Sequence, residues 1–408
     1  MKTSRAAWAL VAVLWVVAAL NYLDRQVIFS VFPPLRQDLH LSSLQLGLLG
    51  TAFLWVYAVL SPVCGYLADR FGRTRAITAS LLVWSAVTWA TAHVHSFGQL
   101  AGTRALMGIS EAFYLPAALA LISDHHGERT RSLATGIHTS GIYVGMIAGG
   151  AGGGWLAQRY GWRAPFQLLG IVGLAYLAVL APVMRRARVE SSAAPPRFLG
   201  SVRELMRLPG YGWMAAVFVG TSLANWMFYT WLPLYLYEHF HMSLAGAGAY
   251  TTFTYVASVV GIVSGGWLAD RWGTAAVRGR LLTQAVGVCA GAPALFALGT
   301  TASHHVLAAG LVVFGVGKGL YDANIMPVLA QVARPELRST GYGVFNFLGC
   351  LAGGISAPLA GWMKSGIGLE GALMLAGAVL LLSSVLLLRI RIPEGKGLPS
   401  YEPISHRA

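Results

Sequence analysis

The chain has 408 residues, of which 56% are hydrophobic and only 11% are charged, whereas soluble domains carry roughly a quarter of their residues as charges. This composition excludes an ordinary soluble domain. The net charge of +14 could suggest a nucleic-acid partner, but the basic residues are spread over alternate loops between apolar runs, so we expect no nucleic acid.

Twelve apolar runs follow one another, each near the roughly 20 residues that an α-helix needs to cross a bilayer core of about 30 Å. They lie at 7–23, 44–67, 76–95, 98–122, 132–157, 164–184, 211–237, 244–268, 280–300, 303–328, 339–363 and 368–389. The first run has no small-residue cleavage site and is interpreted as a retained helix. The sequence therefore predicts an all-α integral membrane protein with twelve transmembrane helices.

The distribution of Lys and Arg predicts the topology. If the N-terminus is cytoplasmic, the termini and the even-numbered loops hold most of the 29 basic residues. This is the positive-inside pattern. We expect a multi-pass protein of the cell inner (plasma) membrane with both termini in the cytoplasm.

A basic, proline-containing segment divides the chain into two parts of six helices each. The expected units are a bundle at 1–184, a cytoplasmic linker at 185–209, a second bundle at 210–392 and a cytoplasmic tail at 393–408.

The two parts repeat each other. Gly65–Gly72 (GYLADRFG) follows the second helix, and Gly266–Gly273 (GWLADRWG) follows the eighth. Glu111 lies five residues before a proline in the fourth helix, and Asp322 lies five before a proline in the tenth. Such internal repeats are typical of transporter folds.

The loop GYLADRFGRTR at 65–75 resembles the signature of the major facilitator superfamily between its second and third helices. The resemblance spans the chain and implies two six-helix bundles that rock about a central site. Asn21–Arg25 (NYLDR) and Gly108–Ala112 (GISEA) resemble two groups within it, the anion:cation symporters and the Spinster-like lysolipid transporters. Met146 replaces the proline of the superfamily's antiporter motif, which makes drug–proton exchange a less favoured alternative.

Ionisable side chains inside membrane spans are costly and mark substrate or proton paths. The predicted spans contain Asp24, Arg25, Arg104, Glu111, Lys318 and Asp322. A buried carboxylate can gain and lose a proton near neutral pH, so Asp24 and Glu111 are the candidate proton carriers. Arg25 is the candidate anion anchor because its planar fork fits a carboxylate or phosphate. The symporter resemblance implies the same roles.

Buried structural pairs are the alternative interpretation of these charges. Arg25 could pair with Glu111, and Asp24 with Arg104. Lys318 and Asp322 are spaced i,i+4, which permits a pair within one helix.

Further candidates come from polar side chains of the helices expected to line the cavity and from the repeated loops. The remaining substrate-binding candidates are Tyr22, Gln26, Arg104, Tyr114, His138, Asn225, Tyr229, Lys318, Tyr321, Asp322 and Asn346. The candidate gating residues, expected to join the bundles through ion pairs and helix-end dipoles, are Asp69, Arg70, Arg73, Asp270 and Arg271. No metal-ligand spacing or cofactor motif occurs, so no metal and no cofactor are expected.

These patterns predict a monomeric, proton-coupled symporter of a small organic anion such as a sugar acid or carboxylate. The alternative is a Spinster-like proton-coupled transporter of lysophospholipid or sphingolipid. The expected partners are the anionic substrate or lysolipid, protons and the bilayer. The sequence contains no catalytic constellation, so we do not expect an enzyme.

Overall fold

The structure is a computed structural model that describes residues 5–187, 197–242, 244–275, 278–364 and 366–390. The helices of the first half are α1 (Arg5–Ser30), α2 (Phe32–Asp38), α3 (Ser43–Phe71), α4 (Arg73–Thr91), α5 (Phe97–Glu111), α6 (Tyr114–His125), α7 (Arg131–Tyr160) and α8 (Arg163–Arg186). A short helix α9 (Phe198–Arg207) precedes the second half. That half contains α10 (Tyr211–His239), α11 (Leu244–Ala275), α12 (Gly279–Thr300), α13 (His304–Asp322), α14 (Ile325–Val332), α15 (Arg338–Lys364) and α16 (Gly368–Arg389). Part of the expected linker, 188–196, and the expected tail at 393–408 lie outside the described residues.

The helices provide twelve membrane crossings. Within the described ranges, nine segments are long and apolar enough to span a bilayer by length and composition. In two of them a pair of helices forms one crossing, namely α5 with α6 and α13 with α14. Helices α4, α7 and α10 supply the other three crossings with 19, 30 and 29 residues, which suffice at 1.5 Å per residue. The all-α membrane architecture predicted from the sequence is confirmed.

Equivalent helices pack alike in the two halves. In the first half α1 packs on α7, α3 on α5 and α4 on α8. The corresponding pairs in the second half are α10 with α15, α11 with α13 and α12 with α16. The halves meet where α3 packs on α15 and where α7 packs on α11. We call these two contacts the seam, and we call the end of the bundle that carries Asp69 and Asp270 the motif end.

The fourth and tenth crossings break at their acidic residues. Helix α5 ends at Glu111, and α6 begins three residues later; α13 ends at Asp322, and α14 begins three residues later. Pro116 and Pro327 follow, and a proline cannot donate a hydrogen bond to the carbonyl four residues before it. The missing bond falls directly after each acid, so each carboxylate is placed at a break inside the bundle.

Candidate functional site

The first charged cluster lies at the break between α5 and α6. The Nε of Arg25, on α1, is 2.5 Å from the Oε2 of Glu111. The Glu111 side chain is fully buried, whereas that of Arg25 is 14% exposed. The pairing that the sequence allowed is formed, and its cationic partner remains within reach of a ligand.

Aromatic rings surround the Arg25 guanidinium. Its central carbon is 4.6 Å from the ring centre of Tyr22, 4.9 Å from that of Phe53 and 4.3 Å from that of Tyr57. Ring faces attract cations and hold a planar guanidinium in one orientation. Its Nη2 is buried and makes no hydrogen bond to the described residues, so one donor of the fork is unsatisfied.

Asp24 and Arg104 complete this cluster. Asp24 is buried and accepts a 3.2 Å hydrogen bond from the Oγ1 of Thr88, while its Oδ1 has no partner among the described residues. Arg104 is also buried, and its Nη1 contacts the sulfur of Met107 at 3.0 Å. Arg104 is close enough to interact electrostatically with both Asp24 and Glu111, although no direct Asp24–Arg104 ion pair is formed within the described region. The cluster thus holds two acids and two cations.

The second charged cluster lies at the break between α13 and α14. Lys318 and Asp322 form the i,i+4 ion pair that their spacing permits, with side chains 14% and 16% exposed. Tyr143 of α7, in the other half, donates to the Oδ2 of Asp322 at 2.8 Å and accepts a hydrogen bond from Lys318. One tyrosine therefore links the two halves at the level of the break.

Two further tyrosines extend this second cluster. The rings of Tyr229 and Tyr255 are stacked with centres 4.7 Å apart, and Tyr255 is 6.0 Å from the ring of Tyr143. On α10, one turn before Tyr229, the buried Oδ1 of Asn225 has no partner among the described residues. Unpaired buried polar atoms of this kind can be satisfied by a polar ligand.

The other substrate-binding candidates divide into two groups. Tyr22 and Gln26 lie on α1 beside Arg25, and the Nδ2 of Asn346 donates to Ser61 across the seam at 3.0 Å. Tyr114 and His138 are instead packed inside the first half. The Tyr114 hydroxyl donates to the backbone oxygen of Leu14 at 2.8 Å and contacts the His138 Nε2 at 2.9 Å. Tyr321 is likewise buried, on α13.

At the motif end, each repeated aspartate binds the first turn of a helix in the other half. Asp69 accepts from the backbone N–H of Ser339 at 3.3 Å and from that of Thr340 at 2.8 Å, at the start of α15. Asp270 accepts from the N–H of Ser132 at 3.0 Å and from that of Leu133 at 2.7 Å, at the start of α7. A carboxylate at a helix N-terminus satisfies unpaired donors and the helix dipole. The two contacts are related by the internal repeat.

An arginine accompanies each aspartate. The Nη2 of Arg73 is 2.7 Å from the Oδ1 of Asp69, and its Nε donates to the Ser339 hydroxyl at 3.0 Å. In the second half Arg280 fills this place, with its Nη2 3.1 Å from Asp270 and its Nε donating to the Ser132 hydroxyl at 2.8 Å. Arg73 is the first residue of α4 and Arg280 the second of α12. The two arginines are equivalent because each lies at the start of its helix, although their separations from the aspartate along the sequence differ.

Three of the predicted gating residues, Asp69, Arg73 and Asp270, make contacts across the seam. Arg70 donates to Tyr66 on its own helix at 2.8 Å. Arg271 lies over the ring of Trp267, 5.5 Å from its centre. Two residues at the seam, Arg280 and Asp124, were not predicted. Asp124 pairs with Arg73 and, at 2.7 Å, with Arg338 of the other half. The repeated Arg-Ser pairs at 131–132 and 338–339 were the available signal.

The glycine that opens each repeated motif permits close backbone contact across the seam. A Cβ added to Gly65 would lie 2.4 Å from the carbonyl oxygen of Ser339, and one added to Gly266 would lie 2.6 Å from that of Ser132. Any side chain at these positions would separate the halves. Each motif therefore combines a glycine for contact with an aspartate that binds the helix so contacted.

Comparison with known proteins agrees with this architecture. Residues 14–357 match the model of the Major Facilitator Superfamily. An MFS-type efflux pump of Mycolicibacterium smegmatis is 30% identical, with 89% of this chain and 86% of the relative covered. A probable galactarate/D-glucarate transporter of Escherichia coli K12 is 25% identical over 88% of each chain. The sphingosine-1-phosphate transporter of Xenopus tropicalis is 26% identical over 87% of this chain and 73% of its own.

Among solved structures, the transporter FucP in its outward conformation superposes with a TM-score of 0.77 at 16% identity, over 95% of this chain and all of the other. That likeness concerns the fold. The family match, the repeated motifs and the twelve crossings together identify the chain as a member of the major facilitator superfamily of membrane transporters.

Proposed function

We propose that the protein is a proton-coupled symporter of a small organic anion, such as a sugar acid or another carboxylate. The observation that carries the proposal is the Arg25–Glu111 pair, in which a partly exposed cation is held by a fully buried acid inside an aromatic cage. The cation suits the substrate, and the acid suits the coupling proton.

The pair couples the two solutes by competition for one guanidinium. When Glu111 takes up a proton, it loses its charge, and Arg25 can then hold the carboxylate of the substrate in its place. Substrate without a proton would leave two anions on one buried cation, and a proton without substrate would leave the cation unpaired. Both partial loadings are costly, so the substrate and the proton travel together.

Asp24 is the second proton carrier in this proposal. It is buried one residue from Arg25, and its Oδ1 has no partner among the described residues. From the second half, Lys318, Asn225 and Tyr229 bind the polar groups of the substrate. Alternating access would close and open the motif end, which we assign to the cytoplasm of a plasma-membrane protein on the basis of the positive-inside pattern.

Relatives support an anionic substrate. Besides the galactarate/D-glucarate transporter, a hexuronate transporter of Bacillus subtilis is 26% identical over 89% of both chains. The rival proposal is transport of a lysolipid phosphate, favoured by the sphingosine-1-phosphate relative and by the equal fit of a guanidinium to phosphate. The efflux-pump relative favours a third proposal, in which the protein exports its substrate.

The test uses Glu111→Gln in proteoliposomes with labelled D-glucarate, galactarate and a hexuronate. We expect the variant to bind and exchange substrate across the membrane but to lose accumulation driven by a pH gradient. Glu370→Gln is the matched control, because Glu370 is only partly exposed, lies on α16 in the other half and pairs with His239. Accumulation by Glu111→Gln at the wild-type level would refute the coupling role. Binding of sphingosine-1-phosphate that sugar acids do not displace would favour the rival substrate.

A further inference from the structure

Helix α9 crosses the seam at the motif end. The ring of Phe198 meets that of Tyr66, on α3, edge to face at a centre distance of 5.7 Å. Leu205 is fully buried and packs against Gly341 of α15. One side of this ten-residue helix therefore contacts both halves of the molecule.

The opposite side of α9 is apolar and basic. Leu199 is 79% exposed and Met206 is 55% exposed, and their spacing of seven residues places them on one face. Arg203 and Arg207 are exposed as well and form no ion pair with the described residues. Large apolar side chains are costly to leave in water, whereas apolar residues flanked by arginines suit the headgroup region of a bilayer.

An open groove begins at Pro209, two residues after the end of α9. It has a volume of about 720 Å³ and is lined by Pro209, Gly210, Trp213, Arg278, Leu388 and Arg389. The Arg389 guanidinium lies 6.0 Å from the ring centre of Trp213, and Leu388 is 65% exposed. Among the residues that the structure describes, the groove thus has two cations, an apolar wall and no acidic side chain.

We propose that the exposed face of α9 and the adjoining groove bind anionic phospholipid from the leaflet at the motif end. The phosphate groups contact Arg203, Arg207, Arg278 and Arg389, and the acyl chains cover Leu199 and Met206. Charge complementarity and the position at the end of the membrane-crossing helices select this occupant.

The first test measures phospholipid retained by the purified full chain, using native mass spectrometry after exchange into phosphatidylglycerol or phosphatidylcholine. Each arginine near an anionic surface is worth roughly a fivefold change in affinity. We therefore expect Arg203→Gln with Arg207→Gln, and separately Arg278→Gln with Arg389→Gln, to lower phosphatidylglycerol retention by more than tenfold. The matched control is Arg185→Gln with Arg186→Gln, two exposed arginines at the end of α8. Equal loss in the control, or no preference of the wild type for phosphatidylglycerol, overturns the proposal.

A second measurement keeps all four arginines and so tests the proposal even if the glutamine variants fold poorly. A spin label at Leu199→Cys, in a chain with its three native cysteines replaced by alanine, reports depth through collisions with oxygen or with a water-soluble nickel chelate. We expect the label to be shielded from nickel in phosphatidylglycerol nanodiscs, and added inorganic phosphate should not displace the lipid. Full access of nickel to the label in those nanodiscs would overturn the proposal.

Discussion

The two halves of the molecule use the same contacts at the motif end but different contacts at the helix breaks. At the motif end both halves use the same chemistry: an aspartate binds the first turn of a helix in the opposite half, with an arginine beside it. At the helix breaks the chemistry diverges. Glu111 takes its cation from α1 of its own half, whereas Asp322 takes Lys318 from its own helix and Tyr143 from the other half.

The difference separates two demands on the fold. The seam closes at two places, where α3 packs on α15 and α7 on α11, so it benefits from two equal contacts. A site that holds an asymmetric substrate and a proton needs different groups on its two walls. Both halves keep the helix break because a proline sets it. The cation that pairs with the acid at the break differs between the halves.

The largest effect is expected from the seam arginines. Arg73→Gln and Arg280→Gln each leave a buried aspartate without its cation, and losing one partner of a buried pair costs about 3–5 kcal/mol. Both variants should open the motif end, as measured by distances between spin labels placed on the two halves. Arg75→Gln is the control and should change little, because Arg75 is exposed on α4, two residues after Arg73. If Arg75→Gln opens the seam as strongly as Arg73→Gln, the ion pairs of Arg73 and Arg280 do not hold the seam closed.

The motif glycines should give the next largest effect, equal in the two halves. Gly65→Ala and Gly266→Ala each place a methyl group against a backbone carbonyl, which cannot rotate away, so we expect a cost of about 2–3 kcal/mol to seam closure. Gly102→Ala is the control, since no atom lies within 4 Å of its added Cβ. The same spin-label distances report the outcome. A closed seam in either motif variant would contradict the packing argument.

The sequence predicted the parts of the molecule that local patterns determine. Hydrophobic length gave the twelve crossings, and the i,i+4 spacing allowed the Lys318–Asp322 pair. Arg280 was missed because it lies ten residues after Asp270, whereas Arg73 lies four after Asp69, so the repeat does not align them.

Partners that depend on docking of the two halves could not be read from one sequence. Asp124 reaches Arg338 over 214 positions, and Tyr143 reaches Asp322 over 179. Tyr114 and His138 illustrate the converse. These polar aromatic side chains lie on two helices, α6 and α7, and contact each other inside the packed first half.

A smaller effect should follow from the divergent contact at the second break. Tyr143→Phe removes a hydrogen bond to a charged group but leaves the Lys318–Asp322 pair, so coupling between the halves should weaken by about 1.5 kcal/mol. The expected readout is weaker substrate binding together with a more open seam. Thr88→Val is the comparison in the first half, because the Thr88–Asp24 bond stays within that half and its loss should leave the seam closed. Equal opening by both variants would remove the asymmetry.

The smallest effect concerns pH at the motif end. His126 lies in the short segment between α6 and α7, and burial lowers its pKa from the usual 6.5 to about 4. Its neutral ring contacts the hydroxyl of Thr130 at 3.1 Å and the backbone oxygen of Ala7 at 3.3 Å. Between pH 6.5 and 4 the His126 ring is protonated in the unfolded chain but neutral in the folded chain. The contribution of His126 to the free energy of unfolding is therefore complete above pH 6.5 and is lost as the pH falls toward 4.

At pH 5.5 the loss amounts to about 1 kcal/mol, and His126→Asn should remove this pH dependence from the thermal unfolding curve. His125→Asn is the matched control one residue earlier, where the ring is only partly buried and bonds within its own helix. Wild-type and His126→Asn melting temperatures that fall in parallel between pH 6.5 and 4.5 would show that His126 is not the titrating group. A difference confined to that window would place the acid sensitivity at the motif end, apart from the protonation of Glu111 that drives transport in the proposed mechanism.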